Sequence, residues 1–161
     1  MKSTLSAEEI VQLIDAHFAA LVLFARQWIP DGAEDVVQES LVKLVELSRT
    51  KGKPDNPVAW LFKVVRNRAI SQFRKISNRL KYEQKAADVK PVWFMPTSIN
   101  GIDSEEITEM MKRLPVEQRE IVIQRIWGGL SFDEIADATN TPRTTVFRRY
   151  TEAIENLKKN F

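Results

Sequence analysis

The chain has 161 residues, enough for one ordinary domain or two small ones, and its 43% hydrophobic and 29% charged residues lie in the normal range for folded globular proteins. No run of about 18 apolar residues occurs, so no membrane span is expected, and the opening Met1-Lys2-Ser3-Thr4-Leu5 lacks the apolar stretch of a secretory signal. The absence of cysteine excludes disulfides, cysteine-ligated zinc and thiol chemistry, and the expected compartment is the cytoplasm.

The formal net charge of +2 hides an uneven distribution. Residues 1–59 carry six basic and nine acidic side chains, a net of −3, whereas residues 60–85 carry eight basic and one acidic, a net of +7. Residues 86–130 are at −2 and residues 131–161 are neutral. A dense basic block suits phosphate contact, because neutralising phosphates releases condensed counterions. A merely solvated helix face would look the same, and charge alone leaves both readings open.

Helix starts are announced by capping boxes, in which a Ser or Asp side chain accepts from the N3 amide and a Glu at N3 answers. Ser6 and Glu9 open a first helix with the apolar stripe Ile10, Ile14, Phe18, Leu21, Ala25 and Trp28, which Pro30 is expected to end. Asp31 and Glu34 open a second, with Val37, Leu41, Leu44 and Val45 inward and Asp35, Gln38, Glu39 and Glu46 outward. The turn formers of Lys51-Gly-Lys-Pro-Asp-Asn-Pro57 predict a loop. A third helix is predicted over about 58–85, with Phe62, Val65, Ala69, Phe73 and Ile76 on one face.

Residues 86–102, with Pro91, Pro96, Asn100 and Gly101, read as an apolar linker in which Trp93 and Phe94 pack on a neighbouring domain or offer an adhesive segment to a partner. Asp103 and Glu106 open a short helix ending near Leu114, and Pro115 is placed as the first residue of the next, which Gly128-Gly129 stops. Ser131 and Glu134 form another capping box for a helix over 132–139, after which Asn140 can take the left-handed turn. Thr141 is expected to cap the last helix, with Pro142 at its first position and Val146, Tyr150, Ile154 and Leu157 at near-helical spacing. The fold class is all-α: two small helical domains, three helices and then four, over 1–85 and 103–161, joined by the linker.

A capped helix of about eight residues, a tight turn and a second helix opened by Thr141-Pro142 is the layout of a helix-turn-helix. In that motif the N-terminal residues of the second helix meet base edges in the major groove. Here those residues are Arg143, Thr144, Phe147 and Arg148, with Arg149 beside them. Arg can read guanine bidentately, and Thr can bind phosphate or touch a thymine methyl. An ordinary helical hairpin with a basic face would share the pattern.

Two larger motif sets carry a resemblance. Asp31-Gly-Ala-Glu-Asp-Val-Val-Gln-Glu39 and Ala59-Trp-Leu-Phe-Lys-Val-Val-Arg-Asn-Arg-Ala-Ile70 resemble region 2 of sigma factors of the extracytoplasmic-function (ECF) group, within the sigma-70 family. Leu114-Pro115, Leu130-Ser-Phe-Asp-Glu-Ile-Ala136 and Thr145-Val146 resemble their region 4. The sets stand in the family's order and together span roughly residues 10–158. The resemblance implies a promoter-specificity subunit of bacterial RNA polymerase. Its region 2 would dock on the β′ clamp helices through Glu34, Asp35, Gln38 and Glu39. Lys63, Arg66, Asn67, Arg74 and Lys75 would hold the phosphates of the −10 element. The 51–57 loop, with Lys51 and Asn56, would receive an unstacked base, and Trp60 is either a stacking platform or a core residue. Region 4 would engage the −35 duplex through Arg143, Thr144, Phe147, Arg148 and Arg149, and also the β flap. An anti-sigma factor is a further partner the resemblance allows.

Two departures from the family pattern stand in the last helix. Phe147 occupies a position that is usually basic, and Glu152 and Glu155 stand where arginines are common. Both predict modest phosphate affinity and an unusual −35 sequence. The single histidine, His17, sits near the apolar stripe of the first helix, and no phosphate loop, nucleophile–base pair or metal-ligand spacing occurs, so neither catalysis nor a cofactor is expected. Two other functions share parts of the pattern: a dimeric helix-turn-helix regulator, which has no need of the basic 60–85 helix, and a sigma-like protein that binds polymerase or an anti-sigma factor without initiating.

Overall fold

The computed structural model describes residues 3–82 and 105–159, and every regular element among them is a helix. The linker reading, with Trp93 and Phe94, and the Asp103 cap lie outside the described residues.

Helix α1 (Ala7–Ala25) begins with the expected capping box: the Glu9 amide donates to Ser6 Oγ at 3.1 Å and the Ser6 amide to Glu9 Oε1 at 3.3 Å. It ends five residues before Pro30 rather than at it. A turn carries Trp28 inward, where its ring meets Phe24 edge-on at 5.1 Å. Ile14, expected in the buried stripe, is 38% exposed. Helix α2 (Ala33–Thr50) is not capped by Asp31: its N-cap is Gly32, at φ +87°, a left-handed turn suited to a residue without a side chain. Its faces divide as expected, with Val37 and Leu44 buried and Asp35, Gln38, Glu39 and Glu46 exposed.

Helix α3 (Pro57–Tyr82) starts one residue before the expected position because Asn56 supplies the cap, accepting from the Ala59 amide at 3.1 Å. Phe62, Val65 and Ala69 are fully buried, but Ile76 is 37% exposed. These three helices pack against one another as one module.

The second module comprises α4 (Glu105–Lys112), α5 (Val116–Val122), α6 (Phe132–Thr139) and α7 (Arg143–Lys158). Pro115 stands just outside α5, as its N-cap. The predicted single helix from 115 to 127 is interrupted. Residues Ile123–Trp127 widen into a π-helical turn, closed by the Gly128 amide on the Ile123 carbonyl at 3.0 Å. The Ser131–Glu134 capping box and the left-handed Asn140 (φ 51°) are present as expected. Thr141 does not cap α7: its hydroxyl donates to the Thr139 carbonyl at 3.0 Å, and Pro142 holds an extended ψ of 142°, so the helix starts at Arg143.

The two modules share one continuous core, with α6 against α3 and the π-helical turn against α1. One close approach between them is at Gly128. A Cβ there would lie 2.8 Å from Phe62 Cε2 and 2.6 Å from the Gln124 carbonyl oxygen, so only glycine fits.

Candidate nucleic-acid interface

Helix α7 buries Val146 and Ala153 against α5 and α6 and leaves Arg143, Thr144, Phe147, Arg148 and Thr151 on one exposed face. Arg143 Nε holds Asp133 Oδ1 of α6 at 3.1 Å, and both side chains remain largely in water. Phe147 is 53% exposed, with its ring set edge-on against Phe132 at 5.4 Å. Phe132 in turn meets Tyr150 at 5.3 Å and lies under the Arg125 guanidinium at 4.5 Å. Arg149 departs from this group: it is half-buried and close enough to Glu120 to favour that residue's charged form.

The basic face of α3 is divided. Asn67, Arg74 and Lys75 are exposed, as is Lys51 at the end of α2. Lys63 Nζ, by contrast, meets Asp137 of α6 at 3.3 Å, and Asn56 Nδ2 donates to Glu134. Arg66 grips Glu120 of α5 with two hydrogen bonds, Nε to Oε2 at 2.7 Å and Nη2 to Oε1 at 3.3 Å, while stacking 5.8 Å from the centre of the Trp28 ring. The Glu120 side chain is 4% exposed. Burial pushes its pKa above the ordinary carboxylate range, against the opposing pull of Arg66. Trp60 is half-buried and packs against the core.

Sequence reasoning does not single out these carboxylates. The signal available for Glu120 is an acid directly before the apolar run Ile121-Val122-Ile123; for Asp137 and Glu134, a helical surface position and a helix-start cap are sufficient explanations.

On the far side of the first module, Asp35, Gln38 and Glu39 line a shallow pocket with Val42, Lys43 and Arg68. Glu39 pairs with Arg68 at 2.5 Å, and Glu34, one turn earlier, with Arg26 at 3.4 Å. Val42 is 57% exposed, an apolar spot inside a charged rim. His17 is half-buried, and desolvation lowers its pKa, favouring the neutral ring. Among the described residues no cluster of three His, Cys, Asp or Glu side chains could hold a metal ion, and no helix is long and apolar enough to cross a membrane.

An acidic face and a basic helix in one module, followed by a helix-turn-helix in the other, define a two-module helical DNA-binding protein. Residues 13–79 match the family model for sigma-70 region 2 and residues 104–157 that for sigma-70 region 4. RNA polymerase sigma factor SigV of Bacillus subtilis is 26% identical over 129 residues, covering 80% of this chain and 75% of that protein. The ECF RNA polymerase sigma factor EcfG of Rhodopseudomonas palustris is 27% identical over 127 residues, covering 79% and 70%. Among solved structures, the sigma factor RpoE in complex with the anti-sigma factor NepR from Bartonella quintana superposes with a TM-score of 0.73 at 25% identity, over 96% of this chain and 97% of that one. CnrH in complex with the cytosolic domain of CnrY shares the fold, with a TM-score of 0.57 at 23% identity over 96% and 88%. The chain belongs to the sigma-70 family, in its ECF group. It is thus an RNA polymerase sigma factor, which binds core polymerase and promoter DNA and directs promoter-specific initiation.

Proposed function

We propose the following division of labour. The module within residues 1–85 docks on the β′ clamp helices through Glu34, Asp35, Gln38 and Glu39, the last three of which surround the exposed Val42. Its α3 helix and the 51–57 loop hold the non-template strand of the −10 element, with Lys51, Asn67, Arg74 and Lys75 as exposed cations and donors. Lys63 and Arg66 join them once α5 and α6 have left α3, exchanging carboxylate partners for phosphates. The module within residues 103–161 reads the −35 duplex with α7 and touches the β flap, and residues 86–102 link the two. The protein works in the cytoplasm and has no catalytic step of its own.

The observation that carries this reading is the α7 face. Four side chains suited to DNA, Arg143, Thr144, Phe147 and Arg148, stand exposed together on the first half of a helix whose other side is anchored in the core. An anti-sigma factor is a further proposed partner, supported by the likeness to RpoE, whose structure was solved bound to one.

Run-off transcription with core polymerase and a library of promoter templates tests the reading. A shared pair of −10 and −35 sequences among the active templates is expected. Duplex binding by a dimer of the chain without polymerase would favour a conventional regulator. Polymerase binding without any transcript would favour a protein that occupies polymerase without initiating.

A further inference from the structure

We propose that Phe147 is a specificity-determining residue that reads the 5-methyl group of one thymine in the −35 duplex. The inference rests on the assignment of α7 to that duplex. Phe147 is a large apolar ring, 53% exposed, in the middle of an otherwise polar face. It lies four residues after Arg143, a rotation of roughly 40°, so both side chains address nearly the same strip of groove. Arg148, the next residue, completes a basic rim around the ring.

The ring is held in place. Its edge-on contact with Phe132 at 5.4 Å is backed by Arg125, stacked on Phe132 at 4.5 Å and anchored by a 2.9 Å hydrogen bond to the Leu130 carbonyl. An aromatic group fixed this way presents apolar surface at little entropic cost. In the major groove the base edges offer one apolar group of any size, the thymine methyl; apart from the small cytosine C5–H, the rest are hydrogen-bond donors or acceptors that a phenyl ring cannot satisfy. Thr151, one turn further along, donates its hydroxyl to the Phe147 carbonyl at 2.9 Å.

The test uses the full chain with core polymerase on templates whose −35 element has been selected from a random library. Each thymine of the selected element is then replaced in turn by deoxyuridine, which removes the methyl and leaves every hydrogen-bonding group. At one position this should weaken open-complex formation by about fourfold, the expected effect of losing one buried methyl. Phe147→Ala should bring that ratio to about one, Phe147→Leu should retain part of it, and Arg143→Ala should leave it standing. Thermal melting of both Phe147 variants checks that α7 remains packed. Indifference of the wild-type protein to every deoxyuridine, or survival of the ratio in Phe147→Ala, overturns the proposal while leaving −35 recognition intact. A selection that returns no −35 preference overturns the assignment of α7 itself.

Discussion

Arg66→Ala should destabilise the protein by an amount that depends on pH. Arg66 supplies both hydrogen bonds to a carboxylate that is 4% exposed, and removing one partner of such a buried pair costs about 3–5 kcal/mol. Glu120 can escape part of that cost by taking up a proton. Its folded pKa already lies above the unfolded value, because burial outweighs Arg66, with Glu117 adding to the rise and Arg149 opposing it. Stability from this group is therefore complete below the unfolded carboxylate value of about 4.3 and is lost as pH rises through the folded one. Without Arg66 the folded pKa moves higher still, so the window of loss extends upward, at about 1.4 kcal/mol for each further unit. The difference between wild type and variant should be about 1–2 kcal/mol near pH 4, where only hydrogen bonding from the guanidinium to a protonated carboxyl and the packing on Trp28 are lost. It should approach about 3–5 kcal/mol once pH has risen above the folded pKa of Glu120 in the variant. Urea unfolding at a series of pH values measures it, with Arg66→Met as the control that keeps the aliphatic stem. A difference that does not change with pH would refute the assignment of Glu120 as the buried partner.

Other expectations concern the surfaces. Asp35→Lys combined with Glu39→Lys should abolish co-purification with core polymerase while moving stability by only about 1 kcal/mol, the loss of the exposed Glu39–Arg68 pair. Arg143→Ala should cost about 1–3 kcal/mol at one −35 base pair and relax its specificity, whereas Arg148→Ala should weaken all −35 variants alike; a promoter-mutant matrix separates the two patterns. Glu152→Arg should tighten binding to the −35 duplex, most clearly at low salt, by removing like-charge repulsion from the phosphate backbone; salt titration of the binding constant checks this. Alanine at Arg74 and Lys75, exposed on α3, should flatten the log–log salt dependence of open-complex formation by about 0.7 for each phosphate no longer neutralised.

The sequence is informative wherever a structural decision is made locally. The Ser6–Glu9 and Ser131–Glu134 boxes close over three residues, and both helices begin where those residues stand. Asn140 takes the left-handed turn after α6, as its short amide side chain permits. The starts that differ from expectation are also local, but a stronger competitor prevails: at α2 the left-handed Gly32 displaces Asp31, and at α7 extended Pro142 displaces Thr141. Periodicity assigns Ile14 and Ile76 to the core because a stripe does not reveal how far along a helix its neighbours reach. The exposed faces of α2 and α7 are legible because they need only one helix each. The partners of Lys63 and Arg66 are not, since Asp137 and Glu120 lie 74 and 54 residues away and become neighbours only when the modules pack.

The contact at Gly128 has an evolutionary consequence. Because the ring of Phe62 and the Gln124 carbonyl both occupy the space a Cβ would need, position 128 can change only if both give way. A homologue that keeps the packed arrangement but carries alanine in place of the glycine needs a smaller side chain opposite it, and must also relax the turn at the Gln124 carbonyl, which lies closer still. Homologues whose modules do not rest on each other are released from the Phe62 part of that constraint but not from the Gln124 part. In members of the family whose modules pack as here, a large ring at position 62 should therefore be found only with glycine at position 128, 66 positions later in the chain.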